Sequence, residues 1–212
     1  MMRHRINGVL CCALVALAVG ASAAWAVPLL PGAAILALPE ADPTGGVVVA
    51  GGVPVPFASA SCAGTLTSTV IAGDPSNPWG GLTFTYQLAN SPASGHAINR
   101  ITILDFAGSL TDASYQAPAL GLAPTSVDRS LPGDVIGFTF ASVPLGLGML
   151  LPGATSAVLV VQTNATAFRQ GSANVINGGV VGNIATYVPV PEPLTFSLLA
   201  ISGLLAWRGR RA

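Results

Sequence analysis

The sequence predicts an all-β fold, a single antiparallel β-sandwich or jelly-roll-like domain over residues 27–189, with a signal helix in residues 1–26 and a short transmembrane helix in residues 190–212. Three observations predict it. Short runs rich in Val, Ile, Thr and Phe alternate with Gly, Pro, Asn and Asp clusters, the rhythm of strands and tight turns. In Leu82-Thr83-Phe84-Thr85-Tyr86-Gln87-Leu88 every second side chain is large and apolar, the period of a strand with one face in a core. Between the two ends no stretch of ten or more residues carries an amphipathic helical period.

In chain order, residues 1–26 have the three parts of a secretory signal: a basic start at Arg3, His4 and Arg5, an apolar run from Val9 to Val19, and the small residues of Ala24-Trp25-Ala26. The arginines hold the N-terminus inside while the apolar run enters the translocon. The Ala-x-Ala then offers small side chains to signal peptidase, with cleavage expected after Ala26 and Ala24 as the second choice. The apolar run is short for a stable membrane span. Cys11 and Cys12 precede most of it, so a lipidated cysteine there would leave the leader on the mature chain. With the leader gone Cys62 is the lone cysteine, expected as a small buried apolar residue, and an intermolecular bridge is the alternative.

Residues 27–57 are rich in Pro and Gly, and the apolar bursts Ala34–Leu38 and Val47–Ala50 read as edge strands, where proline is tolerated. Beyond Gly64 the strand signals lie at Thr65–Ile71, Leu82–Leu88, Ile98–Phe106, Val135–Phe140, Ala157–Thr163 and Ile184–Val188. Ala157–Val161 is apolar on both faces and belongs near the centre of a sheet. Turn clusters separate these runs, as at Gly73–Pro78, Leu131–Asp134 and Asn177–Gly179.

Charge excludes one class of partner. Arginine is the only basic residue besides histidine, and five of its eight copies lie at the chain ends; residues 27–189 hold Arg100, Arg129 and Arg169 against seven carboxylates, a net charge of −4. Such a domain repels a phosphate backbone, so nucleic acid is not a partner.

No catalytic constellation emerges either. His96, the one histidine outside the leader, lies in the polar turn Ser94-Gly95-His96 and reads as a solvated loop residue rather than the base of a triad. Cys62 and His96 supply one soft ligand each, too few for zinc. Asp105, Asp112, Asp128 and Asp134 are the carboxylates available for glycoside hydrolysis, but Asp112 and Asp134 occupy ordinary turn positions. The Asp74–Asn77 loop gathers oxygen ligands for calcium around a single carboxylate. The reading is therefore of no enzyme, no cofactor and no metal. Asn164-Ala165-Thr166 matches an N-glycosylation acceptor, a weak three-residue signal. Trp79, Tyr115 and Tyr187 are candidate stacking platforms for sugars, Trp79 foremost because Pro78 and Gly80-Gly81 place it in a loop.

The C-terminal end carries the sharpest signal. Pro191-Glu192-Pro193 precedes fourteen almost unbroken apolar residues, Leu194 to Trp207, closed by Arg208, Arg210 and Arg211. A helix of that length rises about 21 Å against about 30 Å of hydrocarbon, so length alone does not decide for a span. The arginines do, because basic flanks face the cytoplasm, the correct orientation for a tail that arrives last. The prolines stop the helix from extending upstream and keep the preceding backbone extended. Tripeptide, apolar segment and basic end together resemble the sorting tail of PEP-CTERM proteins over about 23 residues, with Gly209 interrupting the arginines. The resemblance implies export, transient anchoring in the inner membrane, recognition of Pro-Glu-Pro by exosortase, removal of the tail, and delivery to the cell surface or extracellular matrix. The expected function is thus a structural surface or matrix protein associated with exopolysaccharide or biofilm; the alternative is a carbohydrate-binding or adhesive module using Trp79.

Overall fold

A computed structural model describes residues 28–141 and 148–190. These fold as twelve strands, with no helix among them: β1 (Ala34–Leu36), β2 (Pro39–Glu40), β3 (Val47–Ala58), β4 (Ala63–Ala72), β5 (Thr83–Asn90), β6 (Arg100–Ile103), β7 (Thr111–Gln116), β8 (Ser126–Arg129), β9 (Ile136–Thr139), β10 (Leu159–Thr163), β11 (Phe168–Ile176) and β12 (Val180–Pro189). The strands form two six-stranded sheets, one in the order β1-β8-β9-β6-β11-β12 and the other β2-β7-β10-β5-β4-β3. All ladders between them are antiparallel except the two-residue parallel ladder of β2 on β7. The predicted signal helix and transmembrane helix fall on residues outside the described ones.

One core joins the two sheets. Phe84, Tyr86 and Leu88 of β5 and Leu159 and Val161 of β10 meet Ile101 and Ile103 of β6, Phe138 of β9 and Val175 of β11 in a single cluster. The alternation of β5 supplies this face, as the sequence predicts. Phe84 meets Phe106 edge to face, with centroids 6.1 Å apart, an arrangement aromatic quadrupoles favour. The Tyr86 hydroxyl, deep in the core, donates to the Tyr187 carbonyl at 2.8 Å and so ties β5 to β12 of the opposite sheet. Burial pushes its phenol well above the ordinary value.

The edges lie where the prolines and glycines place them: β1 ends one sheet and β3 ends the other. Strand β10, apolar on both faces, is interior and pairs with β5 and β7. Other expectations need correction. The run Ile98–Phe106 yields only β6, because Asp105 takes a positive φ of 73° and turns the chain so that the Phe106 amide reaches the Asp134 carbonyl at 2.9 Å. Strands β2, β7, β8 and β11 lie where the sequence offered no strong apolar run. The polar face of β5 is not solvated as its alternation implied, for Thr83 and Thr85 are buried along with its apolar side chains. What covers that face forms the candidate site.

Candidate functional site

Strand β7 reads Thr-Asp-Ala-Ser-Tyr-Gln, and its pairing with β10 fixes which way each side chain points. Ala113 lies opposite Val161 of the core, so Asp112 and Ser114, opposite Gln162 and Val160, fall on the outer face. There they join Thr83 and Thr85 of β5. All six residues of this patch are buried. Over them lie the segment from Pro39 to Thr44, whose Asp42 accepts from the Ser114 hydroxyl, and the turn from Gly73 to Pro78, whose Asp74 accepts from Thr83 and Gln162.

Asp74 anchors the cover. Its Oδ1 accepts from the Ser76 amide at 3.1 Å, the Ser76 hydroxyl at 2.6 Å and the Thr44 amide at 3.2 Å. Its Oδ2 accepts from the Thr83 hydroxyl at 2.8 Å and the Gln162 amide group at 3.1 Å. Burial alone pushes this carboxyl up, but the hydrogen bonds from Ser76, Thr83 and Gln162 outweigh it and hold Asp74 below its ordinary value. Asn77 is committed likewise, donating to the carbonyls of Gly81 and Thr163 at 3.0 Å each and accepting from the Trp79 amide at 2.9 Å. The loop weighed for calcium therefore spends the side-chain oxygens of Asp74 and Asn77 on the fold itself.

Three further carboxyls sit beside this anchor in a different state. Asp42 and Asp112 are each 3% exposed. Asp42 accepts one bond from the Ser114 hydroxyl, at 3.1 Å, while its Oδ1 and the Asp112 Oδ2 have no partner. Burial, reinforced by the charges of Asp112 and Asp42 and by a side-chain hydrogen bond with Asp42, pushes the half-buried Glu40 up to about 7. Burial and the Asp42 charge push Asp112 up to about 6. Asp42 is raised too, chiefly by burial, against the lowering effect of its own backbone amide and Ser114. Among the described residues no three such groups converge to hold a metal ion. With Asp42 and Asp112 closed to solvent, the chemistry open to the cluster is the uptake and release of protons.

The residues singled out in the sequence are not gathered in one place. His96 is exposed on its loop, where its carbonyl accepts from Asn90 at 3.0 Å and Ser94 at 3.1 Å. Asp128 forms a two-pronged ion pair with Arg100, Asp105 meets Arg169 at 3.1 Å, and Asp134 accepts from the Ser130 hydroxyl at 2.5 Å. Of the four aspartates considered for hydrolysis, only Asp112 enters the cluster, and its neighbours there are Glu40 and Asp42. Cys62 is buried as a free thiol. Tyr115 and Tyr187 pack against the core instead of standing out as platforms. Trp79 is half-buried with its indole N–H unpartnered, beside a cleft of about 200 Å³ lined by Leu29, Leu30, Leu110 and Pro132. Of the three aromatics weighed as platforms, Trp79 is the one that lines a cleft away from the core. The sorting residues Pro191, Glu192 and Pro193, the basic Arg208, Arg210 and Arg211, and the cleavage residues Ala24 and Ala26 lie outside the described residues.

Sequence reasoning missed Glu40 and Asp42, although one signal marked them: they are the only charges between Val27 and Gly73. No protein-family model, curated protein or solved structure matches the chain.

Proposed function

We propose that this chain is a non-catalytic surface or extracellular-matrix module, exported by its N-terminal signal and released from the inner membrane by exosortase acting at Pro191-Glu192-Pro193. The observation that carries the reading is the order of the tail, tripeptide, fourteen apolar residues, then Arg208, Arg210 and Arg211, together with the leader pattern of residues 1–26. The end of the folded domain supports it. β12 closes at Pro189, and the Val190 amide makes a bond to the Ala167 carbonyl at 2.9 Å. The tripeptide follows at once, so its removal spares every sheet bond.

The surface supports the same reading. Of the arginines in residues 28–190, Arg100 and Arg169 are paired with aspartates and Arg129 is buried. Association with exopolysaccharide then runs through hydroxyls and apolar faces, not through cations. The test is Glu192→Ala together with Pro193→Ala in the native host. Accumulation of the uncleaved chain in the inner membrane supports the proposal; release at the wild-type level removes it.

A further inference from the structure

We propose that residues 37–44 form a proton-operated strap, held across the outer face of the second sheet while the Glu40, Asp42 and Asp112 carboxyls share protons, and let go when all three ionise.

The strap is lightly fastened. The Ala37 amide donates to the Thr125 carbonyl at 3.3 Å, and strand β2 makes a two-residue ladder with β7, in which the Tyr115 amide donates to the Leu38 carbonyl at 3.2 Å and the Ala117 amide to the Glu40 carbonyl at 2.6 Å. Further on, the Asp42 carboxyl is driven into the protein, where the Ser114 hydroxyl is the one donor that β7 offers it, and the Thr44 amide reaches Asp74 and Ser76. A buried carboxylate needs a cation or several donors to offset its lost hydration. Asp74 has five donors, whereas Asp42 Oδ1 and Asp112 Oδ2 have none.

The groups facing the cluster offer no cation. From β7 come Asp112 and Ser114, from β10 Gln162, from β5 Thr83, and from the Gly73–Pro78 turn Asp74 and Ser76. The guanidinium that reaches β7 is that of Arg129 on β8, at Thr111. Its donors go to the carbonyls of Gly133, Leu29, Phe106 and Ser109 and to the Thr111 hydroxyl, so none reaches a carboxylate. Protons are what remain to neutralise the cluster.

The sign follows from the raised values. Glu40 rises to about 7 and Asp112 to about 6 in the folded chain, against about 4 when the segment is free. The docked strap therefore binds more protons than the released one between those limits. Its hold is complete below about pH 4 and is lost as pH climbs through the folded values towards about 7. Asp74, lowered instead, stays ionised across the window and keeps the Gly73–Pro78 turn in place. Release uncovers the buried outer face around Ser114, Val160 and Gln162 and frees the Tyr115–Ala117 end of the β7 edge, while Leu29 keeps its bonds to Thr111 at the other end.

The experiment is amide hydrogen exchange on the full chain in detergent between pH 5 and pH 8, corrected for the intrinsic pH dependence of exchange. The Tyr115 and Ala117 amides should lose protection by at least about tenfold across that range, since one unit of pKa shift is a factor of ten. Amides of β4 and β5 should hold theirs. In Glu40→Gln, and separately in Glu40→Gln with Asp112→Asn, the loss should shrink or vanish. Constant protection in the wild type, or an undiminished loss in both variants, overturns the strap. Protection restored at pH 8 by millimolar calcium also overturns it, by showing that a metal ion and not protons fastens the segment.

Discussion

Arg129 does more for this fold than its place in a weak sequence run suggests. The residue is 5% exposed, and its guanidinium has no carboxylate partner and spends its donors on four carbonyls and a hydroxyl. Burial lowers its pKa, but arginine remains charged at any ordinary pH. The five bonds tie the chain entry at Leu29 to β7, the Phe106–Ser109 turn and Gly133. Arg129→Met removes the charge and strands those acceptors, and should cost about 3–5 kcal/mol in urea unfolding. Arg129→Lys, with three donors in place of a planar fork, should recover only part of that loss. Cys62 gives a second check at this scale. Buried at 2% exposure, its thiol should resist a bulky aromatic disulfide reagent in the native protein and react at once in denaturant. Rapid native labelling would refute its placement and reopen the intermolecular bridge.

Strands were legible in the sequence wherever apolar residues were dense. Strands β4, β5, β9, β10 and β12, and the edges β1 and β3, announce themselves by Val, Ile, Phe and Thr in short runs. Strand β7 does not, because its buried outer face carries Asp112 and Ser114; a polar residue opposite a polar cover breaks the hydrophobic code without breaking burial. Strand β8 hides for a similar reason, as Asp128 pairs with Arg100 and Arg129 is the buried network centre. The candidate cluster was illegible for the same cause. It depends on the register of a strand that periodicity does not reveal, and on a segment that crosses from β2 to the Asp74 turn. Two element-scale changes test the packing. A Cβ at Gly81 would stand 2.5 Å from the Thr163 carbonyl oxygen and the Asn164 carbonyl carbon, so Gly81→Ala should destabilise by about 1–3 kcal/mol. Val53 on edge strand β3 is 72% exposed, so Val53→Lys should shift stability by no more than about 0.5 kcal/mol and improve solubility at high concentration.

At the scale of the whole molecule, the proposed function divides between the folded domain and the chain ends. The domain supplies a two-sheet body whose arginines are all paired or buried, so the mature protein should flow through a heparin column at pH 7 and physiological salt. In the proposed reading the ends supply the address, through the Ala24-Trp25-Ala26 of the leader pattern and the Pro191-Glu192-Pro193 of the tail. The most direct measurement is the intact mass of the chain recovered from the surface or medium of the native host. It should correspond to a polypeptide that begins at Val27 and ends within or just before the tripeptide. A recovered chain that still carries Leu194 through Ala212 contradicts the account.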